Sequence, residues 1–260
     1  MMGQALFDTA ASNYDDNFTN SIVGSLQRKR VYFWLRKVDF FTKNESVFEL
    51  NCGTGFDAEQ FNKKGMSVRA TDISFKMIEV CKQNRSQSIS FSQLDCKDID
   101  SVELSEDVIF SNFGGLNCLS ENELEQVLAS ITNKQVKGNM VVLIFMPKFS
   151  LMESMYLFLK LKWKIIFRRF TNSAIDVNVD GINVPTYFHT PRKLKKLLRP
   201  HYNIKLLKPV ALFIPPSYFE PLAKRHPKLV SISNKLEYIF GRFTVFSGLS
   251  DHFIIVAEKK

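Results

Sequence analysis

From residue 46 to residue 146 the chain alternates short apolar runs with stretches of helical periodicity. Residues 46–50 are a buried-strand run that opens into a glycine turn, and residues 57–64 follow with helical spacing. Residues 66–70, 88–92, 107–113 and 139–146 repeat the strand signature. Between them Ser74 caps a helix through residue 81, and residues 121–131 form another. Runs this apolar are strands covered on both faces. Their alternation with helices predicts an α/β fold built on a doubly wound, mostly parallel sheet.

The flanks differ in texture. Residues 1–41 read as helical with polar breaks, and 26–38 contain no Gly or Pro to interrupt them. After Pro147, residues 150–169 read as one long helix. Residues 174–188 alternate about Asp180-Gly181, a strong hairpin signal. Thr190-Pro191 starts a short basic helix to residue 198. Residues 203–213 read as a strand, 218–240 as mostly helical and 252–257 as a final strand, giving seven strands besides the hairpin. No repeat or low-complexity linker divides the chain, so 1–260 reads as a single domain. Its expected parts are a helical lid (1–43), a ligand-binding core (44–147), a helix-plus-hairpin insertion after the fifth strand (148–200) and C-terminal elements that complete the sheet (201–260).

Composition agrees with a globular chain. At 260 residues, 45% hydrophobic and 23% charged, it is too apolar for disorder and too interrupted for a membrane bundle. No segment reaches the ~18 unbroken apolar residues of a spanning helix. The first residues lack a basic stretch followed by an apolar run, so no signal peptide is expected. Cys52, Cys81, Cys96 and Cys118 are scattered without a CxxC pair, which argues against zinc or a disulfide framework and for a reduced, cytoplasmic setting. No metal site is expected.

Charge is unevenly spread. The chain carries a formal +9, and residues 148–208 hold thirteen Lys or Arg against three acids, while the remainder holds 22 bases and 23 acids. All the net positive charge therefore sits in one block, suited to a solvated face, an acidic ligand or a membrane surface.

The turn Glu49-Leu-Asn-Cys-Gly-Thr-Gly55 carries the most chemistry. A strand that feeds a glycine turn and then a helix brings backbone N–H groups close to a ligand, and Gly53 and Gly55 permit that approach. Alone, the glycine spacing would equally fit a dinucleotide site. Three acids add detail. Glu49 lies at the first strand's end, Asp72 at the second's and Asp95 just after the third. In that order they match an ammonium group, a ribose diol and an adenine amine.

Val47-Phe-Glu-Leu-Asn-Cys-Gly-Thr-Gly-Phe-Asp-Ala58 and Ala70-Thr-Asp-Ile-Ser-Phe-Lys-Met-Ile78 resemble the class I S-adenosylmethionine-dependent methyltransferases of small-molecule type. Phe7-Asp-Thr-Ala-Ala-Ser-Asn-Tyr-Asp15 is similar to their N-terminal lid segment. The motif-level likeness covers residues 14–146. Asn51 departs from the Gly or Asp usual there, so its side chain must turn away from the methionine moiety. The resemblance implies a Rossmann-like seven-stranded sheet and S-adenosylmethionine as cofactor, with S-adenosylhomocysteine as product. It implies that Glu49, Asn51, Gly53 and Gly55 surround the methionine half, and that Asp72, Ile73 and Met77 hold ribose and adenine. Asp95 and Cys96 meet the adenine edge, and Asn112 and Phe113 lie beside the sulfonium.

His189, between the hairpin and the basic helix, is the favoured base candidate, and Tyr14 is placed to close on the methyl group. The acceptor is less defined. Neither the Asn-Pro-Pro-Tyr type of motif of amine-directed nucleic-acid methylases nor a Pro-Cys pair is present. Residues 150–170 mix bases with Leu, Met, Ile and aromatics, too greasy for a phosphate track. They suit a cover over an apolar aromatic or lipid-like acceptor, or peripheral contact with a membrane. A nucleic-acid or protein methyltransferase, a non-catalytic lipid- or RNA-binding module and a nicotinamide-dependent oxidoreductase remain as rivals; the last leaves Asp95 unexplained.

Overall fold

The computed structural model describes residues 8, 11, 14–179 and 182–260. Phe7 and parts of the expected lid motif, and the Asp180-Gly181 turn, lie outside the described residues. A short π-helical turn, Asp15–Thr19, leads into α1 (Ile22–Lys37) and α2 (Phe40–Lys43). The alternating unit then runs β1 (Ser46–Leu50), α3 (Phe56–Asn62), β2 (Ser67–Asp72), α4 (Phe75–Asn84), β3 (Ser90–Gln93), β4 (Val108–Ser111), α5 (Glu121–Lys134) and β5 (Met140–Phe145). The remainder comprises α6 (Leu151–Leu159), β6 (Ile175–Val179), β7 (Ile182–Thr186), α7 (Pro191–Leu198), β8 (Tyr202–Val210), α8 (Glu220–Arg225), α9 (Pro227–Phe240) and β9 (His252–Lys259).

Seven strands form one sheet in the order β3-β2-β1-β4-β5-β9-β8, and β6 and β7 make a separate antiparallel pair. Only β9 is reversed, pairing antiparallel with both β5 and β8. Alternate side chains feed two cores. Val47, Val68, Val108, Phe110, Val142 and Ile254 face α1, α3 and α4, where Leu35, Phe61 and Ile78 are buried. Phe48, Ile109, Val141, Leu143 and Ile255 face α5 and α7 through Leu124, Leu128, Leu194 and Leu198. This two-sided burial is why the strands read as continuous apolar runs.

Strand order reverses at β1, whose neighbours are β2 and β4. The parallel register places Leu50 beside Thr71 and Ser111, and Asp72 beside Gln93. The ends of β1 to β4 therefore open onto one edge, where a doubly wound sheet leaves its ligand crevice.

Two expectations are corrected. α1 is no lid: Val31, Trp34 and Leu35 are buried against the sheet, and only the turn before it reaches the crevice. The expected helix over 150–169 stops at Leu159, where Leu161 takes a positive φ of 58° and a 3-10 turn follows at Trp163–Ile165. A bulky residue in that conformation ends a helix.

Candidate functional site: a cavity at the carboxyl edge of the sheet

A cavity of about 830 Å³ lies along this edge. Sheet order divides its walls. Asn51, Gly53, Asp72, Ile73, Met77, Asp95 and Cys96 come from the ends of β1 to β3, with Tyr14 and Phe18 above them. Glu153, Tyr156, Arg168, Arg169, Asp251 and His252 come from the other side, beyond β4 and β5. Asn112 and Phe113, following β4, stand between.

Asp72 organises the first wall. One carboxylate oxygen accepts the Gly53 N–H at 2.9 Å and the other accepts the Ser74 N–H at 2.9 Å. It thereby ties the glycine turn to the start of α4, which Ser74 caps by accepting from the Met77 N–H at 3.1 Å. Burial raises its pKa, and these backbone donors oppose the rise. Each oxygen keeps a further lone pair for a ligand hydroxyl. Asp95 caps the next turn, accepting from the Lys97 N–H at 3.0 Å, and the Cys96 thiol is pushed up to about 12, chiefly by burial. Cys96 is thus a neutral wall rather than a nucleophile.

Asn51 adopts a φ of 57°, and its Cβ lies where a side chain on Gly115 would stand, 2.4 Å from the position of an added Cβ there. The bare Gly115 accommodates Asn in place of a smaller residue. Gly55 does a different job: its φ is 70°, and an added Cβ would meet the Phe91 ring at 2.8 Å and Cys81 Sγ at 3.0 Å. It packs the turn against β3 and α4 and does not line the cavity.

Glu49 does not line it either. Its side chain is buried beneath the turn with Oε2 unpartnered, and burial, with Asp57 nearby, holds its carboxyl well above the usual range. Asp57 instead reaches the wall indirectly, accepting from Arg28 at 3.0 Å, Tyr32 at 2.8 Å and the Asn112 amide at 2.9 Å. The Arg28 guanidinium lies 5.1 Å from the Phe113 ring centre. Asp15 fastens the overhanging turn, accepting from Thr54 at 2.5 Å and pairing with Arg85. Tyr14 and Phe18 are thereby held over Gly53 and Phe113.

His189 also misses the cavity. Residues Thr186 and Phe188 face inward, while His189 turns back to pack edge-on against Phe145. It is buried with Nε2 unpartnered, and desolvation, then the Lys193 charge, lower its pKa to about 4. The histidine on the cavity is His252, the first residue of β9. Because β9 is the reversed strand, its start lies at the edge where the parallel strands end. His252 Nδ1 stands 3.2 Å from Asp251 Oδ2, and its ring meets Phe113 edge-on. Asp251 also pairs with Arg169 at 3.0 Å, and Glu153 bridges Arg169 and Arg168. Burial opposes ionisation of Asp251, but His252 and then Arg169 beside it hold its carboxyl below the ordinary range. The sequence signal for His252 was its place at the head of the last strand, legible only once that strand's direction is known.

Residues 47–136 match the family model described as a methyltransferase domain. A malonyl-[acyl-carrier protein] O-methyltransferase from Bacillus anthracis is 32% identical over 137 residues, covering 49% of this chain and 46% of that one. A demethylmenaquinone methyltransferase from Thermobifida fusca is 28% identical over 150 residues, covering 54% and 60%. The chain thus spans about half the length of the curated relatives it matches. The fold extends further: a magnesium protoporphyrin IX methyltransferase from Synechocystis PCC 6803, solved with SAH bound, superposes over 100% of this chain and 90% of that one with a TM-score of 0.55 at 13% identity. The residues matched by that model therefore supply the first wall, while the second wall comes from outside them.

A Tyr-x-x-x-Lys spacing, of the kind hydride-transfer enzymes use, does occur at Tyr156 and Lys160. Tyr156 lines the cavity, but Lys160 does not; its Nζ lies over the Tyr156 ring at 5.9 Å.

Proposed function

We propose that the chain is an S-adenosylmethionine-dependent methyltransferase acting on a small-molecule acceptor. The observation that carries this reading is Asp72, held by two backbone N–H groups at the end of β2 on the same wall as Gly53, Ile73, Met77 and Asp95. That wall fits an adenosyl group: a carboxylate for the diol, apolar Ile73 and Met77 for the purine faces and Asp95 for its amine. Gly53 leaves the room beside Tyr14 that a side chain would fill. Bound S-adenosylmethionine supplies a methyl group already activated by its sulfonium. The chain's own task is alignment, worth on the order of 7–11 kcal/mol at best in reactions of this kind.

Glu49 supports that wall from beneath, in place of the direct ammonium contact expected from sequence. Phe113 and Asn112, fixed through Asp57, separate the cofactor wall from the acceptor wall. On the latter, Met146, Tyr156, Leu157, Phe188 and Tyr218 favour a largely apolar or aromatic acceptor. His252, with Asp251 3.2 Å from its Nδ1, replaces His189 as the base. Arg169 and Glu153 hold Asp251 in turn. The relatives named for quinone and carboxyl acceptors support the small-molecule reading.

The test supplies methyl-labelled S-adenosylmethionine to the protein in a cell extract and follows label into small molecules. Label should enter an organic-extractable product, and His252→Gln should lower transfer by ~10²-fold or more while cofactor affinity stays within about twofold. Unchanged transfer and an unchanged pH–rate profile in that variant would remove His252 as base. Label confined to protein or nucleic acid would remove the small-molecule acceptor.

A further inference from the structure

Where α6 ends, the chain exposes a set of side chains that soluble surfaces rarely collect. Leu159 is 73% exposed, Leu161 76%, Trp163 59% and Phe167 64%, with Phe158 and Phe170 also open to solvent. Lys160, Lys162 and Lys164 alternate with them. Among the described residues none of these three lysines has an ion pair with a carboxylate. From Ser154 to Ile175 the sequence contains no acid. The nearest, Glu153, is buried and paired with Arg168 and Arg169. The positive φ of Leu161 turns the chain at this point, Trp163 stacks on Phe158, and Phe167 packs on Phe170. Lys162, Ile165 and Arg168 of the same segment line the cavity.

We propose that residues 158–170 dock the protein on an anionic lipid bilayer, with the mouth of the cavity facing the lipid. Large apolar side chains interleaved with lysines are the composition of an interfacial segment, and this many exposed within thirteen residues need an occupant. Charge decides which one. A second copy across a two-fold axis would set lysines against lysines with no acid in the segment to answer them. An anionic lipid surface answers every lysine and takes up the apolar tips at once. No helix among the described residues is long and apolar enough to cross a membrane, so contact is peripheral. Leu159, Lys160, Lys164 and Phe167 do not line the cavity, and the docking reading stands whether or not the methyl-transfer reading does.

Trp163 is a built-in reporter, since the other tryptophan, Trp34, is buried and donates to the Pro209 carbonyl. The full chain is mixed, without cofactor, with vesicles of phosphatidylcholine alone and with vesicles containing phosphatidylglycerol, followed by sedimentation and Trp163 emission. The expected result is sedimentation with the anionic vesicles, about tenfold or more tighter than with the neutral ones, and a blue shift quenched by brominated acyl chains. Leu159→Glu with Phe167→Glu should abolish both signals, and Lys160→Gln with Lys164→Gln should remove the preference for anionic lipid. Both variants should retain the wild-type circular dichroism spectrum and melting temperature. No association with either vesicle, equal association that the lysine variant leaves unchanged, or a concentration-dependent dimer that shifts Trp163 without lipid would each overturn the proposal. Binding to RNA in place of vesicles would do the same.

Discussion

His189 and His252 show how position in the fold, rather than residue type, assigns a role. His189 is neutral because it is buried: its pKa falls to about 4 from the ordinary 6.5. Between those two values the unfolded chain binds the extra proton, so stability is fully present above about pH 6.5 and is lost progressively as pH falls toward 4. The shift corresponds to about 3 kcal/mol. His189→Gln should therefore flatten the loss of stability between pH 7 and pH 4.5, measured by urea unfolding at each pH, with Lys193 and Glu121 left in place. An unchanged slope would show that the imidazole titrates normally. The sequence could not rank the two histidines, since His189 sits between the hairpin and a helix and His252 at the head of a strand, and neither context says which faces the cavity. Glu49 was misread for a related reason: its position in the motif is right, but its side chain goes under the turn, where Asp57 and burial decide its state.

At the level of the element, the strand-to-helix turns were the most legible part of the chain. The strand runs predicted β1 to β5 to within a few residues, most sharply for β1, β4 and β5, where two-sided burial leaves few polar positions, while the edge strand β3 buries only Phe91. Ser74 and Thr190 cap α4 and α7 as read, through the Met77 and Lys193 N–H groups. The long helix after Pro147 failed because its composition gave helical spacing throughout, and nothing in the pattern marked the reversal at Leu161. Gly55 tests the turn itself. Gly55→Ala combines a positive φ with a contact to Phe91 inside van der Waals distance and should cost roughly 2–3 kcal/mol. Gly65→Ala, at a φ of 85° with open space around its Cβ position, bears backbone strain alone and should cost about 1 kcal/mol. Thermal melts of both check the difference, and equal shifts would mean that the Gly55 packing contact contributes nothing.

Across the whole molecule, the two walls of the cavity have different origins. The residues matched by the family model carry the first wall, and its members were largely visible in the motif: Asn51, Gly53, Asp72, Ile73, Met77, Asp95, Cys96, Asn112 and Phe113 line one cavity. The second wall depends on chain reversal in β9 and on the packing of 148–170, which no local pattern encodes. Asn117 helps bring it into place, donating to the Met146 and Tyr187 carbonyls and so clipping the hairpin segment to the end of β5. The surplus of positive charge belongs to this second half, near the proposed lipid contact. The central claim is that Asp72 grips a ribose on the first wall, and it is tested by titrating S-adenosylmethionine into the wild-type chain and into Asp72→Asn by calorimetry. The Asn variant is preferred to Ala because its amide oxygen can still accept one of the two backbone N–H groups. The wild type should bind S-adenosylmethionine and not NAD, and the variant should bind about 10–100-fold more weakly, as expected for a lost charged hydrogen-bond acceptor, while retaining its melting temperature within a few degrees. Equal affinity in the two proteins, or binding of NAD in place of S-adenosylmethionine, would contradict the account.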